Sequence, residues 1–234
     1  MIKPIAIITG ASTGIGRALA MELSNNYFIY LVSRNINNLN KTKEIIKNKK
    51  NDCEIITADL TNKQSVEKIY NKISNIDNIE LLINNAGIAI FKDISNTSIN
   101  DWDKTINVNL RGSFLMTKLI IDNFKSKKSG KIVFINSSAG LKPFKNSSAY
   151  VASKYGLRGF ASSLREELRE FNVKVISVFP GAVDTPLWDN KNAEDIREDM
   201  MNVNDLCQTI THSINAPNNC VVEEILIKST LGDF

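Results

Sequence analysis

The chain has 234 residues, of which 43% are hydrophobic and 23% are charged, and its formal net charge is +4 at pH 7. This length suffices for one substantial domain and is too short for two ordinary ones, and the composition is that of a soluble globular protein. The mild positive charge forms no aromatic-interleaved basic stripe, so we expect no nucleic-acid partner. No apolar run is long enough to span a bilayer, and the N-terminal residues MIKPIAIITGAS are typical of a strand and turn. We therefore expect no membrane association and a cytoplasmic location.

The few cysteines and the single histidine exclude several kinds of chemistry. Cys53, Cys207 and Cys220 are odd in number and lack CxxC spacing, which favours reduced, structural thiols over a disulfide framework or a zinc site. His212 lies on a polar helical stretch, so a mechanism built on a histidine base is not expected. We predict no metal site.

Short apolar runs alternate with longer helical patterns along the chain. Strands are predicted at residues 5–9, 28–33, 54–58, 79–83, 131–136, 173–179 and 224–228. Helices are predicted at residues 15–25, from the second strand to about 50, and at 62–75, 101–125, 149–171 and 203–214. Near-continuous apolar strands alternating with helices predict a parallel sheet covered on both faces. The expected fold is one doubly wound α/β domain of about seven strands over residues 1–234.

The first predicted strand ends in TGASTGIG, which runs from Thr9 to Gly16 into the first predicted helix. Gly10, Gly14 and Gly16 permit a tight turn and a close approach of the backbone to a ligand. The N–H groups at the start of a helix are suited to a pyrophosphate. The loop therefore predicts nucleotide binding, although its spacing differs from the commoner G-x-G-x-x-G pattern. No G-x-x-x-x-G-K-[ST] segment is present, which disfavours a phosphate-hydrolysing P-loop.

The second predicted strand ends in LVSRN, with Ser33 and Arg34 and without an acidic residue. A carboxylate here would accept hydrogen bonds from a ribose 2′-hydroxyl, whereas a cation pairs with a 2′-phosphate. We therefore expect NADP(H) to be preferred over NAD(H). The alternative is a solvated arginine at a strand end, and Thr13 stands in the glycine loop where a second basic residue would have strengthened the prediction.

Further motifs follow the third, fourth and sixth predicted strands. They are Asp59-Leu60-Thr61, NNAG from Asn84 to Gly87, and PGAVDTP from Pro180 to Pro186. In doubly wound sheets ligands bind beyond the carboxyl ends of the strands, so these segments are candidate ligand contacts. Asn109 lies inside the predicted helix 101–125, where helix propensity alone predicts a side chain that points to solvent.

Tyr150 and Lys154 are four residues apart in a predicted helix, and Ser137 precedes the tyrosine by thirteen residues. Side chains at i and i+4 lie on one helix face, so an ammonium group would stand near the phenol and lower its pKa. A shift from about 10 to about 7 requires about 4 kcal/mol, which one desolvated cation and a second positive charge could supply. A serine hydroxyl would hold a carbonyl oxygen against the phenol. The alternative is chance, because Tyr-x-x-x-Lys occurs in many helices.

These motifs, in this order and spacing from residue 5 to about 186, resemble the short-chain dehydrogenase/reductase family. The resemblance implies a Rossmann fold, a nicotinamide cofactor and a catalytic tetrad that falls on Asn109, Ser137, Tyr150 and Lys154. Ser137 is chosen over Ser138 because the family's serine lies three residues before a glycine, here Gly140. The resemblance also implies that Tyr150 exchanges a proton with the substrate oxygen, that Lys154 lowers the tyrosine pKa and bonds the ribose, and that Asn109 anchors a water.

The resemblance extends to the cofactor contacts. Asp59 is expected to contact the adenine, Asn85 to Gly87 the adenosine ribose side, and Val183 and Thr185 the nicotinamide carboxamide. The full set of expected cofactor-binding residues is Gly10, Ser12, Thr13, Gly14, Ile15, Gly16, Ser33, Arg34, Asp59, Leu60, Asn85, Ala86, Gly87, Tyr150, Lys154, Pro180, Gly181, Val183 and Thr185.

The expected activity is NADP(H)-dependent hydride transfer to and from a small carbonyl compound or secondary alcohol. One alternative is a 3-oxoacyl-[acyl-carrier-protein] reductase, since the basic run FKSKKSGK at 124–131 suits an acidic partner. Against it, the C-terminus lacks the glycine-rich ending of those reductases. The chain could also be a non-catalytic NADP(H)-sensing protein, which the complete tetrad argues against, or a subunit whose role is assembly.

The substrate pocket and the assembly are predicted in outline. Phe91, Leu141, Phe144 and Trp188 are candidates for the pocket wall, and the short charged segment from Leu187 to about Asn202 is a candidate lid. A compact lid favours a small or slender substrate. The relatives form dimers or tetramers through two long helices, so we expect a homodimer or homotetramer through 101–125 and 149–171.

Overall fold

The structure is a computed structural model that describes residues 2–189 and 194–232. Its seven strands form one sheet in the order β3-β2-β1-β4-β5-β6-β7. Every pairing is parallel. The strands are β1 (Ile5–Thr9), β2 (Phe28–Ser33), β3 (Cys53–Thr57), β4 (Ile79–Asn84), β5 (Gly130–Ile135), β6 (Val173–Pro180) and β7 (Glu224–Ile227). The predicted Rossmann-type sheet of about seven strands is confirmed.

The helices follow the predicted order with changes at some ends. They are α1 (Gly14–Leu23), α2 (Ile36–Asn48), α3 (Lys63–Tyr70), α4 (Ile99–Ile106), α5 (Gly112–Lys127), α6 (Ser148–Leu168) and α7 (Val203–Ile214). The helix predicted at 62–75 ends at Tyr70, because the following segment is rich in asparagine and serine, which favour turns over helix interiors. The helix predicted at 101–125 is interrupted by a π-helical turn at Asn107–Arg111.

The sheet is buried on both faces. Ile8 belongs to an apolar cluster with residues of α1, α2 and α7, such as Leu19 and Ile210. Its neighbour Ile7 belongs to a second cluster on the other face, with residues of α5 and α6 such as Met116. Successive strand side chains point to opposite faces, so strands covered on both sides read as continuous apolar runs. Among the helices of the described residues, none is long and apolar enough to cross a membrane.

The strand order reverses between β1 and β4, and this junction is bonded tightly. The hydroxyl of Thr9 donates to the Ile83 carbonyl (3.2 Å) and accepts from the N–H groups of Asn85 and Ala86 (3.0 and 3.1 Å). The side chain of Asn85 donates back to the Thr9 carbonyl (2.9 Å). The loops after β1 and β4 are therefore held together where a doubly wound sheet opens a crevice for ligands.

Candidate active site

A cavity of about 820 Å³ lies at the carboxyl edge of the sheet. Its lining includes all of the expected cofactor-binding residues except Gly16, together with Ser137 of the expected tetrad. Asn109 does not line the cavity. The structure thus brings the strand-end motifs after β1 to β6 together in one continuous site, as the carboxyl ends of parallel strands require.

The glycine loop between β1 and α1 contributes one end of the cavity. Gly10 and Gly14 have φ values of +66° and +53°, a region that side-chain-bearing residues adopt only with strain. A Cβ on Gly16 would lie 2.4 Å from both the Asn85 side-chain nitrogen and the Gly10 carbonyl oxygen. Gly16 therefore permits close packing between α1 and the loops after β1 and β4. It does not line the cavity, although the sequence analysis expected it to bind the cofactor.

The end of β2 forms a polar corner of the cavity. The hydroxyl of Ser33 donates to the hydroxyl of Ser12 (3.0 Å), and Arg34 beside them is exposed. At the end of the neighbouring strand β3, the backbone N–H of Thr61 donates to the Asp59 carboxylate (2.9 Å), and this bond is the main reason that the pKa of Asp59 is lowered. The Thr61 hydroxyl (2.8 Å) and the charge of Arg34 act in the same direction.

The predicted catalytic residues meet at the other end. Ser137 follows β5, accepts a hydrogen bond from the Ala139 N–H (3.1 Å) and is bonded to the phenol of Tyr150. Ser138, the alternative not chosen, is 7% exposed and also lines the cavity. Lys154, only 5% exposed, donates from Nζ to the carbonyl oxygens of Ile135 (3.0 Å) and Asn136 (3.2 Å). Its Nζ lies 5.7 Å from the centre of the Tyr150 ring.

The pKa of Tyr150 is governed mainly by burial. Burial raises it above 10.0, because a phenolate loses its hydration, and the hydrogen bond from Ser137 offsets only part of this effect. Burial also lowers the pKa of Lys154 from 10.5 to about 8. Lys154 Nζ is directed at backbone carbonyls, and the predicted lowering of the Tyr150 pKa, which also requires the positive charge of an oxidised nicotinamide, stays a prediction.

Asn109 is not directed to solvent, as helix propensity predicted, but is 1% exposed. It lies in the π-helical turn, and such turns are frequent at functional sites. Its side chain accepts from the Ile88 N–H (2.8 Å) and donates to the Ile88 carbonyl (2.9 Å) and the Ser153 hydroxyl (3.0 Å). Ser153 in turn donates to the Tyr150 carbonyl (2.7 Å), so Asn109 connects Ile88 to the first turn of α6.

Comparison with known proteins agrees with this geometry. Residues 4–196 match the family model described as short chain dehydrogenase. The chain belongs to the short-chain dehydrogenase/reductase family. A sepiapterin reductase of Chlorobaculum tepidum is 34% identical, with 100% of this chain and 99% of the relative covered. An uncharacterized oxidoreductase of Staphylococcus epidermidis is 29% identical, with 97% of each chain covered.

Solved structures of the family superpose closely. A metagenomic short-chain oxidoreductase in complex with NADP has a TM-score of 0.84 at 27% identity, with 97% of both chains covered. An alcohol dehydrogenase of Thermococcus sibiricus complexed with 5-hydroxy-NADP has a TM-score of 0.89 at 25% identity, covering 98% of this chain and 97% of the other.

Sequence reasoning missed Asn136, which lines the cavity next to Ser137. Its side chain donates to the Lys154 carbonyl (3.1 Å), while its own carbonyl accepts from Lys154 Nζ. A Cβ on Gly140 would lie 2.8 Å from the Asn136 side-chain oxygen and 3.0 Å from the Lys154 carbonyl. The glycine three residues after the serine was thus a usable signal, because it makes room for this amide.

Aromatic residues form the wall beside the phenol. The ring of Phe91 lies 5.8 Å from that of Tyr150 and 5.9 Å from that of Trp188. Phe144 also lines the cavity, as predicted, whereas Leu141 does not. Of the predicted lid from Leu187 to about Asn202, residues 190–193 lie outside the described residues. Unforeseen wall residues include Ile88, Val108, Lys145, Asn146 and Ser147.

The remaining candidate groups stand apart from the cavity. Cys53 and Cys207 are buried free thiols and Cys220 is exposed. The ring nitrogen Nδ1 of His212 lies 2.8 Å from the Gln208 carbonyl oxygen on α7. Within residues 2–189 and 194–232, no three His, Cys, Asp or Glu side chains gather as metal ligands would.

The first prediction concerns Lys154. In an NMR titration of protein labelled with ¹³C at lysine Cε, one lysine is expected to titrate near pH 8, because burial disfavours its ammonium form. That signal should be missing in Lys154→Met. Since the unfolded pKa is about 10.4, the unfolded state binds more protons between these values. The destabilising contribution of Lys154 is therefore full below pH 8 and fades as the pH rises towards 10. If every wild-type lysine signal that titrates below pH 9 is also present in the Lys154→Met spectrum, the burial of Lys154 is contradicted.

Proposed function

We propose that this protein is an NADP(H)-dependent oxidoreductase that transfers a hydride between the nicotinamide and a small carbonyl compound or secondary alcohol. One observation carries the proposal. A single cavity joins the glycine loop and Arg34 at one end to Ser137, Tyr150 and Lys154 at the other. A dinucleotide extended between these ends would present its reactive ring beside the phenol.

The residues of the cavity fit such a cofactor. Gly10 and Gly14 let the backbone approach a pyrophosphate, and Thr13 starts α1 without a side-chain cap, so the helix retains donors for an anion. Arg34 and the hydroxyls of Ser33 at the end of β2 and Ser12 in the glycine loop suit a 2′-phosphate. The NADP and 5-hydroxy-NADP complexes of the two structural relatives support the same preference.

Side chains of this protein can supply the proton that the substrate oxygen gains on reduction. In the reductive direction Tyr150 donates its proton to the substrate oxygen. Ser137, bonded to the phenol, holds the same oxygen. A bound nicotinamide supplies or takes the hydride. Lys154 anchors α6 to the end of β5 through the Ile135 and Asn136 carbonyls. The binding of a water molecule by Asn109 stays a prediction.

The alternatives are less well supported. The basic run at 124–131 precedes and begins β5, at the edge of the sheet opposite the cavity, and Lys127 is bonded to the Asp77 and Ile79 carbonyls. An acidic carrier protein bound there would be far from Tyr150. A purely sensing role would not require the bond between Ser137 and Tyr150 or the connection of Asn109 to α6.

A pterin carbonyl is the second candidate substrate. The observation that favours it is the aromatic wall of Phe91 and Trp188 beside Tyr150, which offers flat surfaces to a planar heterocycle. The sepiapterin reductase of Chlorobaculum tepidum, 34% identical over the whole chain, supports the same choice.

We also propose a homodimer or homotetramer formed through α4, α5 and α6. Trp102, Phe114 and Tyr155 are exposed on these helices. Burying large aromatic side chains is a major source of binding energy at protein interfaces.

Tyr150→Phe is expected to lower turnover with any carbonyl substrate to below about a hundredth of wild type, because acid–base catalysis contributes about 10²–10⁴-fold. NADPH binding, followed by nicotinamide fluorescence, should change little. The matched control is Tyr70→Phe, which alters a half-buried tyrosine on α3 that does not line the cavity and should keep full activity. A Tyr150→Phe enzyme with more than about a hundredth of wild-type turnover would disprove the assignment.

Arg34→Glu is expected to weaken NADPH binding by about 10–100-fold, because a charge-assisted hydrogen bond is lost and a like charge is introduced. NADH binding should weaken far less, so the ratio of the two dissociation constants falls. Lys41→Glu, an equal charge change on the exposed face of α2, is the control and should leave the ratio unaltered. Equal effects of Arg34→Glu on both nucleotides would refute a 2′-phosphate site.

A substrate panel distinguishes the candidates. Small ketones, aldehydes, 3-oxo acids and sepiapterin are each incubated with NADPH and enzyme, and oxidation is followed at the nicotinamide absorbance. If a pterin is the substrate, Trp188→Ala should raise its KM by about tenfold, as expected for one lost aromatic contact, with a smaller effect on acyclic ketones. Turnover of ketones without turnover of sepiapterin would remove the second candidate.

A further inference from the structure

The outer side of the glycine loop is held by the side chains of Arg17 and Thr42. Arg17, in the first turn of α1, donates from Nη2 to the Ser12 carbonyl and from Nε to the Thr42 hydroxyl (3.1 Å). Thr42 is fully buried on α2, and its hydroxyl proton is shared between the Ala11 carbonyl (3.2 Å) and the Asn38 carbonyl of its own helix (3.1 Å). Two successive carbonyls of the loop, those of Ala11 and Ser12, are therefore bonded on the side away from the cavity.

The planarity of the peptide bond makes this arrangement matter for the ligand. In a trans peptide the C=O and the following N–H point in opposite directions. Carbonyls that are turned towards Thr42 and Arg17 therefore turn the N–H groups of Ser12 and Thr13 towards the cavity, which both residues line. Neither N–H is bonded to another group in the part of the chain that the structure describes. Successive N–H groups of this kind form a concave site for an anion.

Side chains add to these donors. The Ser12 hydroxyl accepts from Ser33, which leaves its own proton to be donated, and Ser12 is only 9% exposed. Arg34 stands beside it on the cavity wall. The corner thus presents two N–H groups, a hydroxyl and a guanidinium, a set that suits a phosphate.

We propose that Arg17 is a positioning residue for the 2′-phosphate of NADP(H). It does not line the cavity and acts through the loop: by holding the Ser12 carbonyl outward it keeps the Thr13 N–H and the Ser12 hydroxyl directed at the phosphate. Without the guanidinium the peptide can rotate and present a carbonyl oxygen to a dianion, which is repulsive. This inference rests on the proposed NADP(H) dependence.

The test compares dissociation constants for NADPH and NADH, measured by nicotinamide fluorescence, in wild type, Arg17→Met, Arg17→Lys and Thr42→Val. Arg17→Met is expected to weaken NADPH binding by about tenfold and NADH binding by less than about threefold. Turnover at saturating NADPH should stay within about twofold of wild type. Arg17→Lys should recover part of the NADPH affinity, and Thr42→Val should show a weaker form of the same defect.

Arg169→Met is the control, because Arg169 is exposed and pairs with Glu166 and Glu223 away from the cavity. It should leave both dissociation constants unchanged. An NADPH constant within twofold of wild type in Arg17→Met and Thr42→Val, or equal weakening of both nucleotides, would overturn the proposal. If Arg17→Met fails to fold, the ratio of the NADPH to the NADH dissociation constant in Arg17→Lys and Thr42→Val decides the question. Failure of wild type to bind either nucleotide would instead refute the proposed function.

Discussion

The burial of the Lys154 ammonium group is the constraint on which the active site depends. A charge removed from water is costly unless it is hydrogen-bonded, and this one is held by the Ile135 and Asn136 carbonyls at the end of β5. These bonds tie α6 to the carboxyl edge of the sheet. Tyr150, one turn earlier on the same face, is thereby placed against Ser137. Asn136 completes the connection by donating back to the Lys154 carbonyl.

At the other end of the cavity a basic side chain also donates to a main-chain carbonyl. There Arg17 points at the Ser12 carbonyl, as Lys154 points at the end of β5. In both places a basic side chain donates to main-chain oxygen atoms, and Arg17 also donates to the Thr42 hydroxyl. Each cation therefore fixes the direction of C=O groups after a strand. Because the peptide is planar, this also fixes the direction of the N–H group that follows each carbonyl. The site is shaped by its backbone as much as by the side chains that line it.

Much of the fold could be predicted from local patterns. The strand at 28–33 and the helix at 203–214 have the predicted bounds, because apolar periodicity and the turn residues around them agree. The choice of Ser137 over Ser138 rested on the spacing to Gly140 and Tyr150 and stays a prediction, while the structure shows that a Cβ on Gly140 would meet the amide of Asn136. The helix predicted at 62–75 was too long, since α3 ends at Tyr70 before residues that favour turns.

By itself the sequence determined the parallel sheet, the order of the strand-end motifs and the membership of the family, because these follow from periodicity and from residues close together in the chain. Only the tertiary structure decided the burial of Asn109 and the direction of the Tyr150 pKa. The first depends on a π-helical turn facing Ile88 and Ser153, and the second on how far the fold removes the phenol from water. Both properties come from contacts between segments distant in sequence, and no local pattern records them.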